Sequence, residues 1–340
     1  MSGEAAVSQR VPARDLLPRD VVAALTKRVE WKSAALILHA WSVIFGAIAV
    51  VALWPNPLTY VLAVMVIGSR QLGLAILMHD AAHGCFSRDQ GRNVALGQWF
   101  CAYPIFADTL AYRGYHLAHH AHTQQADDPD LGLSAPFPIT RASYRRKFWR
   151  DISGRTGFQQ RKAQFRAAAG DPSLPIGQRV RRLMSKLGRQ LLANAVLLAL
   201  LTLAGVWWAY PLLWLVPLLT WMMVITRIRN IAEHAVTPEA DNAFRNTRTT
   251  EANLLERMFI APYFVNYHLE HHLLFYVPCY NLPKLHALLM HGPRAHEMEV
   301  VKGYRAVMRL ATARPDTGER ADAPARSGGR VSEDQISAGF

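Results

Sequence analysis

Four apolar stretches, three of about 20 residues and a fourth of 15 that borders the third, grouped in two adjacent pairs, constrain this chain more than any other feature. The first, Ser33–Trp54, is interrupted by His39 and Ser42. The turn sequence Trp54-Pro-Asn-Pro57 separates it from the second, Leu58–Met78, which carries Arg70 and Gln71 as polar blemishes. The third is Leu191–Tyr210 and the fourth Pro211–Ile225, with Trp207, Trp208, Tyr210 and Pro211 around the junction. A helix rises about 1.5 Å per residue, so about 20 residues cover the roughly 30 Å hydrocarbon core. Each pair is therefore expected to form a membrane hairpin with a very short, uncharged tip. A content of 51% hydrophobic against 19% charged residues argues in the same direction, away from an ordinary soluble domain.

The charges respect this division. The segment between the pairs is rich in cations, among them Arg145, Arg146, Lys147, Arg150, Arg179, Arg181, Arg182, Lys186 and Arg189, and neither tip carries a charge. The positive-inside rule then places both termini and the central loop in the cytoplasm. The predicted organisation is a cytoplasmic N-terminal segment (1–32), a membrane domain (33–310) with spans at about 33–54, 58–78, 191–210 and 211–228, and a tail (311–340) too poor in large apolar residues to order itself. Residues 1–19 lack the basic, apolar and small-residue succession of a cleaved signal peptide. Val94–Phe106 is apolar but too short to span and is expected at the membrane interface. A formal net charge of +13 raises the question of nucleic acid. The cations flank membrane runs and face an anionic leaflet, which accounts for them, so no nucleic-acid partner is expected. Cys85, Cys101 and Cys279 are odd in number and far apart, which excludes a disulfide framework and a cysteine zinc site.

Of the 14 histidines, eight fall in three tight clusters: His79-Asp-Ala-Ala-His83, His116-Leu-Ala-His119-His120 and His268-Leu-Glu-His271-His272. Positions i, i+3 and i+4 share a helix face, so each cluster aims two or three imidazoles at one point. Imidazole suits iron, zinc, copper and nickel alike. The number is more telling, because eight clustered ligands exceed the four of one tetrahedral zinc and fit two metals. In the four-span arrangement all three clusters emerge on the cytoplasmic side. Asn230 and His234, one helical turn apart at the inner end of the fourth span, are placed to add an amide and a ninth imidazole. His39, His122, His286, His291 and His296 stand alone and are read as surface or internally satisfied residues. Ligating imidazoles need carboxylate or carbonyl partners for their second nitrogen. Asp80, Asp127, Asp128, Asp130, Glu233 and Glu270 lie beside the clusters, and Asp128, Asp130 and Glu233 are favoured for that role. A membrane metal transporter is the contrasting reading, but its ligands belong at the bilayer midplane rather than beyond it.

One His-x-x-x-His and two His-x-x-His-His boxes, in this order around two apolar pairs, resemble the membrane-bound fatty acid desaturase family. The surrounding sequence is similar too: Met78-His-Asp-Ala-Ala-His-Gly84, Tyr115-His-Leu-Ala-His-His-Ala-His-Thr123 followed by Asp128-Pro-Asp130, and Asn266-Tyr-His-Leu-Glu-His-His272 followed by Val277-Pro-Cys-Tyr-Asn-Leu-Pro283. The likeness runs from about Ala34 to Ala306. It implies an all-α integral membrane protein, with four transmembrane helices in two hairpins and a cytoplasmic helical cap carrying a di-iron site. It further implies two Fe ions held by His79, His83, His116, His119, His120, His268, His271 and His272, with His234 as an added ligand and Asn230 as an outer amide. O2 is the implied co-substrate, a lipid or fatty acyl chain the substrate, and a bacterial inner membrane the setting. Hydroxylases and carotenoid ketolases share the three boxes, so oxygenation of a lipid or terpenoid chain is the alternative to forming a double bond.

The sequence departs from the family at Leu273-Leu-Phe-Tyr-Val277, where many relatives carry Phe-Pro after the third box. It has no His-Pro-Gly-Gly haem signature, no nucleotide-binding glycine motif and no cysteine cluster for iron–sulfur ligation. Electrons are accordingly expected from an external carrier, a ferredoxin or small cytochrome.

Overall fold

The structure, a computed structural model, describes residues 11–314, and most of the predicted disordered tail lies outside the described residues. In chain order the helices are α1 (Arg19–Leu25), α2 (Glu30–Leu53), α3 (Pro57–Ala82), α4 (Gln90–Leu96), α5 (Thr109–His122), α6 (Leu131–Ser134), α7 (Arg141–Ile152), α8 (Arg155–Ala169), α9 (Ile176–Leu203), α10 (Val216–Leu219), α11 (Trp221–His234), α12 (Leu254–Phe259), α13 (His268–Leu273), α14 (Leu282–Met290) and α15 (Tyr304–Ala311). Strands β1 (Thr249–Glu251) and β2 (Val300–Lys302) complete the set. Four helical stretches are long and apolar enough to cross a membrane: α2, α3, α9 and Tyr210–His234. The chain divides into two compact units.

One unit comprises Val29–Arg113 and Phe148–Thr226 and contains the bodies of the four long helices. Between α2 and α3 the Asn56 side chain accepts from the Leu58 and Thr59 amides while Thr59 answers to the Asn56 amide, and Pro57 sits at the first helical position. This cap starts α3 without a glycine and keeps the connection short. Gly68 allows α3 to approach Trp221 closely, since a Cβ there would lie 3.0 Å from the indole and 3.2 Å from the Met222 backbone nitrogen. Several polar groups inside the bundle are paired. Gln71 donates to the Trp214 carbonyl at 2.7 Å, and the Asn194 carbonyl oxygen accepts from Tyr210 and from the Trp214 indole. Outward-facing residues are of the opposite kind: Leu38, Phe45, Leu53, Leu58, Val61, Leu192, Val196 and Leu200 are exposed. Such a continuous apolar face suits lipid rather than water.

The helix carrying the third apolar run is longer than the run itself. It starts at Ile176 and carries Arg179, Arg181, Arg182, Lys186 and Arg189 in its first half, because straight-chain cations are good helix formers and nothing between Ile176 and Leu203 breaks the pattern. The Val94–Phe106 stretch does more than lie at an interface. It winds as α4, a π-helical turn (Gly97–Ala102) and a 3-10 turn (Tyr103–Ile105), burying Gln98, Cys101 and Ala102 while exposing Trp99 and Phe100. Asn93 donates to the Ala81 carbonyl at 2.7 Å, and Arg113 donates to the Ala82 carbonyl. These bonds satisfy the carbonyls at the end of α3, where the first histidine box lies.

The other unit comprises residues 11–28, Gly114–Lys147 and 227–314 among those described. It adds an element the all-helical expectation omitted. β1 and β2 pair in parallel, with Thr249 opposite Val300, Thr250 opposite Val301 and Glu251 opposite Lys302, and Thr249 also bridges to Tyr267. The small sheet thereby anchors the residue preceding the third box. Downstream, Asn281 donates to the Leu25 carbonyl at 2.7 Å and ties the start of α14 to α1.

Candidate metal centre

The second and third boxes fold as helices, α5 and α13, as their spacing requires. In this unit seven imidazoles divide into two groups. His116, His120 and His271 lie together, with ligand-capable nitrogens within 4.8 Å of one another, and His119, His234, His268 and His272 form a second group on the same criterion. The two boxes exchange partners. The i, i+4 pair of α5, His116 and His120, joins the middle histidine of α13, while the i, i+4 pair of α13, His268 and His272, joins the middle histidine of α5.

Nitrogens meet nitrogens at short range. Nε2 of His120 lies 2.9 Å from Nε2 of His116 and 3.0 Å from Nε2 of His271. Nε2 of His268 lies 2.8 Å from Nε2 of His234 and 3.0 Å from Nε2 of His272. A neutral imidazole carries one proton, so a central nitrogen cannot make two good hydrogen bonds to two like neighbours. A cation between the lone pairs removes that conflict. Two nitrogens at roughly 2.1 Å from a metal are about 3.0 Å apart at right angles and about 3.4 Å apart in a tetrahedron. Separations of 2.8–3.0 Å are of the size that two nitrogens bound to one metal ion adopt.

The buffering carboxylates are equally specific. His119 is buried, and its Nδ1 lies 2.8 Å from Asp128 Oδ1. Asp128 also accepts from the Gln124 and Asp130 amides, each at 2.8 Å. His119 Nε2, on the far side of the ring, is buried and has no hydrogen-bond partner among the described residues. A ring held by Nδ1–H and left with a bare inward Nε2 is the tautomer of a metal ligand. Burial lowers the His119 pKa, but the bond to Asp128 and the charges of Asp128, Asp130 and Glu233 outweigh it and raise the net value. Asp130 takes a hydrogen bond from the Tyr115 hydroxyl and lies 3.7 Å from His119 Nδ1. Glu233 stands 3.6 Å from His268 Nδ1 and is itself held by Arg229 at 2.6 Å. His268 is pushed well down by burial and by the neighbouring His272 and His234, which keeps it neutral and able to ligate.

The first box lies in the other unit, at the end of α3. His79 and His83 face each other with ring centroids 4.8 Å apart, and Asp80 Oδ1 is 3.8 Å from His79 Nδ1. Burial, with His79 beside it, holds His83 well below the usual imidazole range. Asn230 is half-buried on α11, one turn before His234. Asp127 is exposed. His39, His291 and His296 are exposed, and His122 is half-buried.

Three participants were not legible from residue type and spacing. His286, read as a surface or internally satisfied residue with no tie to the site, is internally satisfied: it sits 2.6 Å from the fully buried Glu270, which also receives the Thr249 hydroxyl. Gln124 donates to the His234 carbonyl. Thr123 Oγ1 lies 3.3 Å from His272 Nδ1. A cavity of about 320 Å³ reaches His120 and His272 and is lined further by Val11, Thr123, Asn246 and Phe275. The Leu273–Tyr276 segment, where the sequence departs from its look-alikes, forms part of this wall.

Comparison with known proteins agrees with this geometry. The family model described as fatty acid desaturase matches residues 52–304. The chain is 31% identical to the dihydrorhizobitoxine desaturase of Bradyrhizobium elkanii over 245 residues, 69% of this chain and 68% of that protein. It is 26% identical to the sn-1 oleoyl-lipid 12-desaturase of Synechocystis over 309 residues, 84% of this chain and 85% of that protein.

Proposed function

The chain belongs to the fatty acid desaturase family, and from that premise we propose that it is an O2-dependent di-iron oxidoreductase that introduces a double bond into a lipid acyl chain. The observation that carries the metal assignment is the pairing of Nε2 atoms 2.8–3.0 Å apart in two groups, one of which contains the bare, buried Nε2 of His119. His116, His120 and His271 would hold one iron, and His119, His234, His268 and His272 the other. His79 and His83 complete the nine-ligand set expected of the family, with Asn230 as an outer amide and Asp80 as a neighbour of His79.

Bound iron would supply the reduction of O2 and the oxidising strength to attack an unactivated C–H bond. The chain's own residues prepare for that. Asp128 fixes the His119 ring in the ligating tautomer. Glu233 faces Nδ1 of His268, and Glu270 anchors α13 through Thr249 and His286, so the helix that bears three ligands is held from its non-metal side. Burial keeps His268 and His83 neutral. The exposed apolar faces of the long helices support a membrane setting. The uncharged tips and the cation-rich segment between the pairs favour both termini and the metal centre on the cytoplasmic side, in a bacterial inner membrane. A ferredoxin or small cytochrome would deliver electrons.

The test is lipid profiling by mass spectrometry of a host expressing the protein, with the purified protein assayed for metal. The expected result is a new double bond in host acyl chains and two irons per chain. Oxygen-bearing products without alkenes would instead assign a hydroxylase or ketolase, and one zinc per chain would overturn the di-iron reading.

A further inference from the structure

His234 is the one proposed ligand that lies outside the three boxes, and it is the last residue of α11. A helix end leaves its last four carbonyls without intrahelical donors, and a ligand there is no better placed than the end itself. Here every carbonyl around His234 is accounted for. Ile231 receives the Ala235 amide at 3.0 Å. The Ala232 carbonyl receives Nη1 of Arg248 at 3.2 Å, and the Glu233 carbonyl receives the Arg248 backbone amide at 3.0 Å. Gln124 donates to the His234 carbonyl. The Ala235 and Val236 carbonyls receive Nη1 and Nη2 of Arg248 at 3.0 and 2.8 Å. Four of these six carbonyls are thus held by a single arginine.

The Arg248 side chain is completely buried, and its Nε donates to Glu299 at 3.2 Å. A buried guanidinium with a carboxylate and several carbonyls around it has the partners that make burial tolerable, whereas removing it would leave carbonyls and Glu299 without donors. Its task is also local. Val236 has φ +56°, a left-handed conformation that β-branched residues avoid, so the turn behind His234 needs external restraint. The planar fork of arginine can address several acceptors at once, and the single ammonium of lysine cannot reproduce that.

We propose that Arg248 is a positioning residue for the metal centre, clamping the end of α11 so that His234 completes the group formed with His119, His268 and His272. This rests on His234 being a ligand, as proposed above. Gln124 serves the same end from the exit of the second box. Its backbone amide is held by Asp128, the carboxylate that orients His119, so the two non-adjacent ligands His119 and His234 share one anchor.

The experiment measures iron per chain in the purified full-length protein under a graded chelator challenge, alongside circular dichroism and thermal midpoint. His234→Ala is expected to drop from two irons to one. Arg248→Met and Arg248→Lys are expected to hold the second iron about 10- to 100-fold more weakly than the unmodified protein, the range typical of losing an orienting partner. Glu299→Gln leaves the carbonyl bonds in place and is expected to keep both irons even where its thermal midpoint falls. Folded Arg248→Lys or Arg248→Met protein that retains both irons where His234→Ala has lost one overturns the positioning role. Failure of both arginine variants to fold assigns Arg248 a purely structural role and overturns it equally. Retention of both irons by His234→Ala would remove His234 from the ligand set, a failure of the underlying reading and distinct from the others.

Discussion

Nδ1 of His286 lies 2.6 Å from Oε1 of Glu270, joining α14 to the helix of the third box. Glu270 is fully buried and follows the ligand candidate His268 by two residues, so whatever holds its carboxylate also holds that helix. Burial lowers the His286 pKa, but the bond to Glu270 and its charge, with a smaller contribution from Glu251, raise it overall above 6.5. A raised folded value means that the stabilisation is complete below about pH 6.5 and is lost as pH rises through the folded pKa. His286→Gln should therefore lower the thermal midpoint more at about pH 6 than at about pH 9, measured on metal-free protein in detergent. An equal effect at both pH values would show that the pair acts as a neutral hydrogen bond.

Asp128→Asn should weaken iron binding by about 10- to 100-fold with little change in secondary structure. The carboxylate accepts on both oxygens: His119 and the Asp130 amide on one, the Gln124 amide on the other. An asparagine must turn its NH2 toward one side or the other, so a donor faces a donor in either orientation. Iron titration followed by metal analysis checks this, and wild-type affinity would show that the His119 tautomer is set elsewhere.

Some of this was visible in the sequence and some was not, for identifiable reasons. The long apolar helices and the shared faces of His116, His119 and His120 follow from helical periodicity, which needs no knowledge of distant residues. The pairing of Thr249–Glu251 with Val300–Lys302 has no such signal, because each strand is three residues long and the partners are far apart in the chain. The same holds for His286 with Glu270 and Arg248 with the end of α11. Each is a side chain whose role depends on a tertiary neighbour, and residue type alone made His286 resemble His291, which bonds its own helix at Ala287. Asp128 was legible because it follows the second box closely enough for a turn to return it to His119.

The exchange of partners between boxes gives a test by combination. His116→Ala and His271→Ala should each weaken the same iron, and the double variant should still hold the other one. His116→Ala with His268→Ala strikes both groups and should leave the chain without tightly held iron. Sites that share no ligand behave independently, whereas ligands of one site do not add. Metal analysis of the two double variants distinguishes the pairings, and equal iron content in both would mean that the groups are not separate sites.

Topology can be read directly. A reporter fused after Gly292 should behave as cytoplasmic, and one inserted at Asn56 as external. The ground is the absence of charge between α2 and α3 against the cation-rich segment that follows. The opposite result at either position would break the placement of the three boxes on one side of the membrane.

Turnover should depend on a separate electron carrier. The sequence offers no flavin or nicotinamide motif and no iron–sulfur ligand set, while each O2 consumed in forming a double bond requires two electrons from outside the substrate. Arg155, Lys162 and Arg166 on α8 and Arg181, Arg182, Lys186 and Arg189 on α9 are exposed, so these helices present cations to solvent. Such a surface attracts an acidic carrier and speeds its encounter, and salt screens that attraction over about a Debye length. Steady-state rates in detergent, where lipid charge is absent, should thus require added ferredoxin or cytochrome and should fall as ionic strength rises. Charge reversal at Arg181 and Arg182 should flatten the salt dependence without changing iron content. Turnover of the pure protein with NADPH alone would refute the external carrier. A carrier-dependent rate indifferent to salt would keep the carrier and remove the electrostatic dock, since no other force between two soluble surfaces responds to ionic strength so steeply.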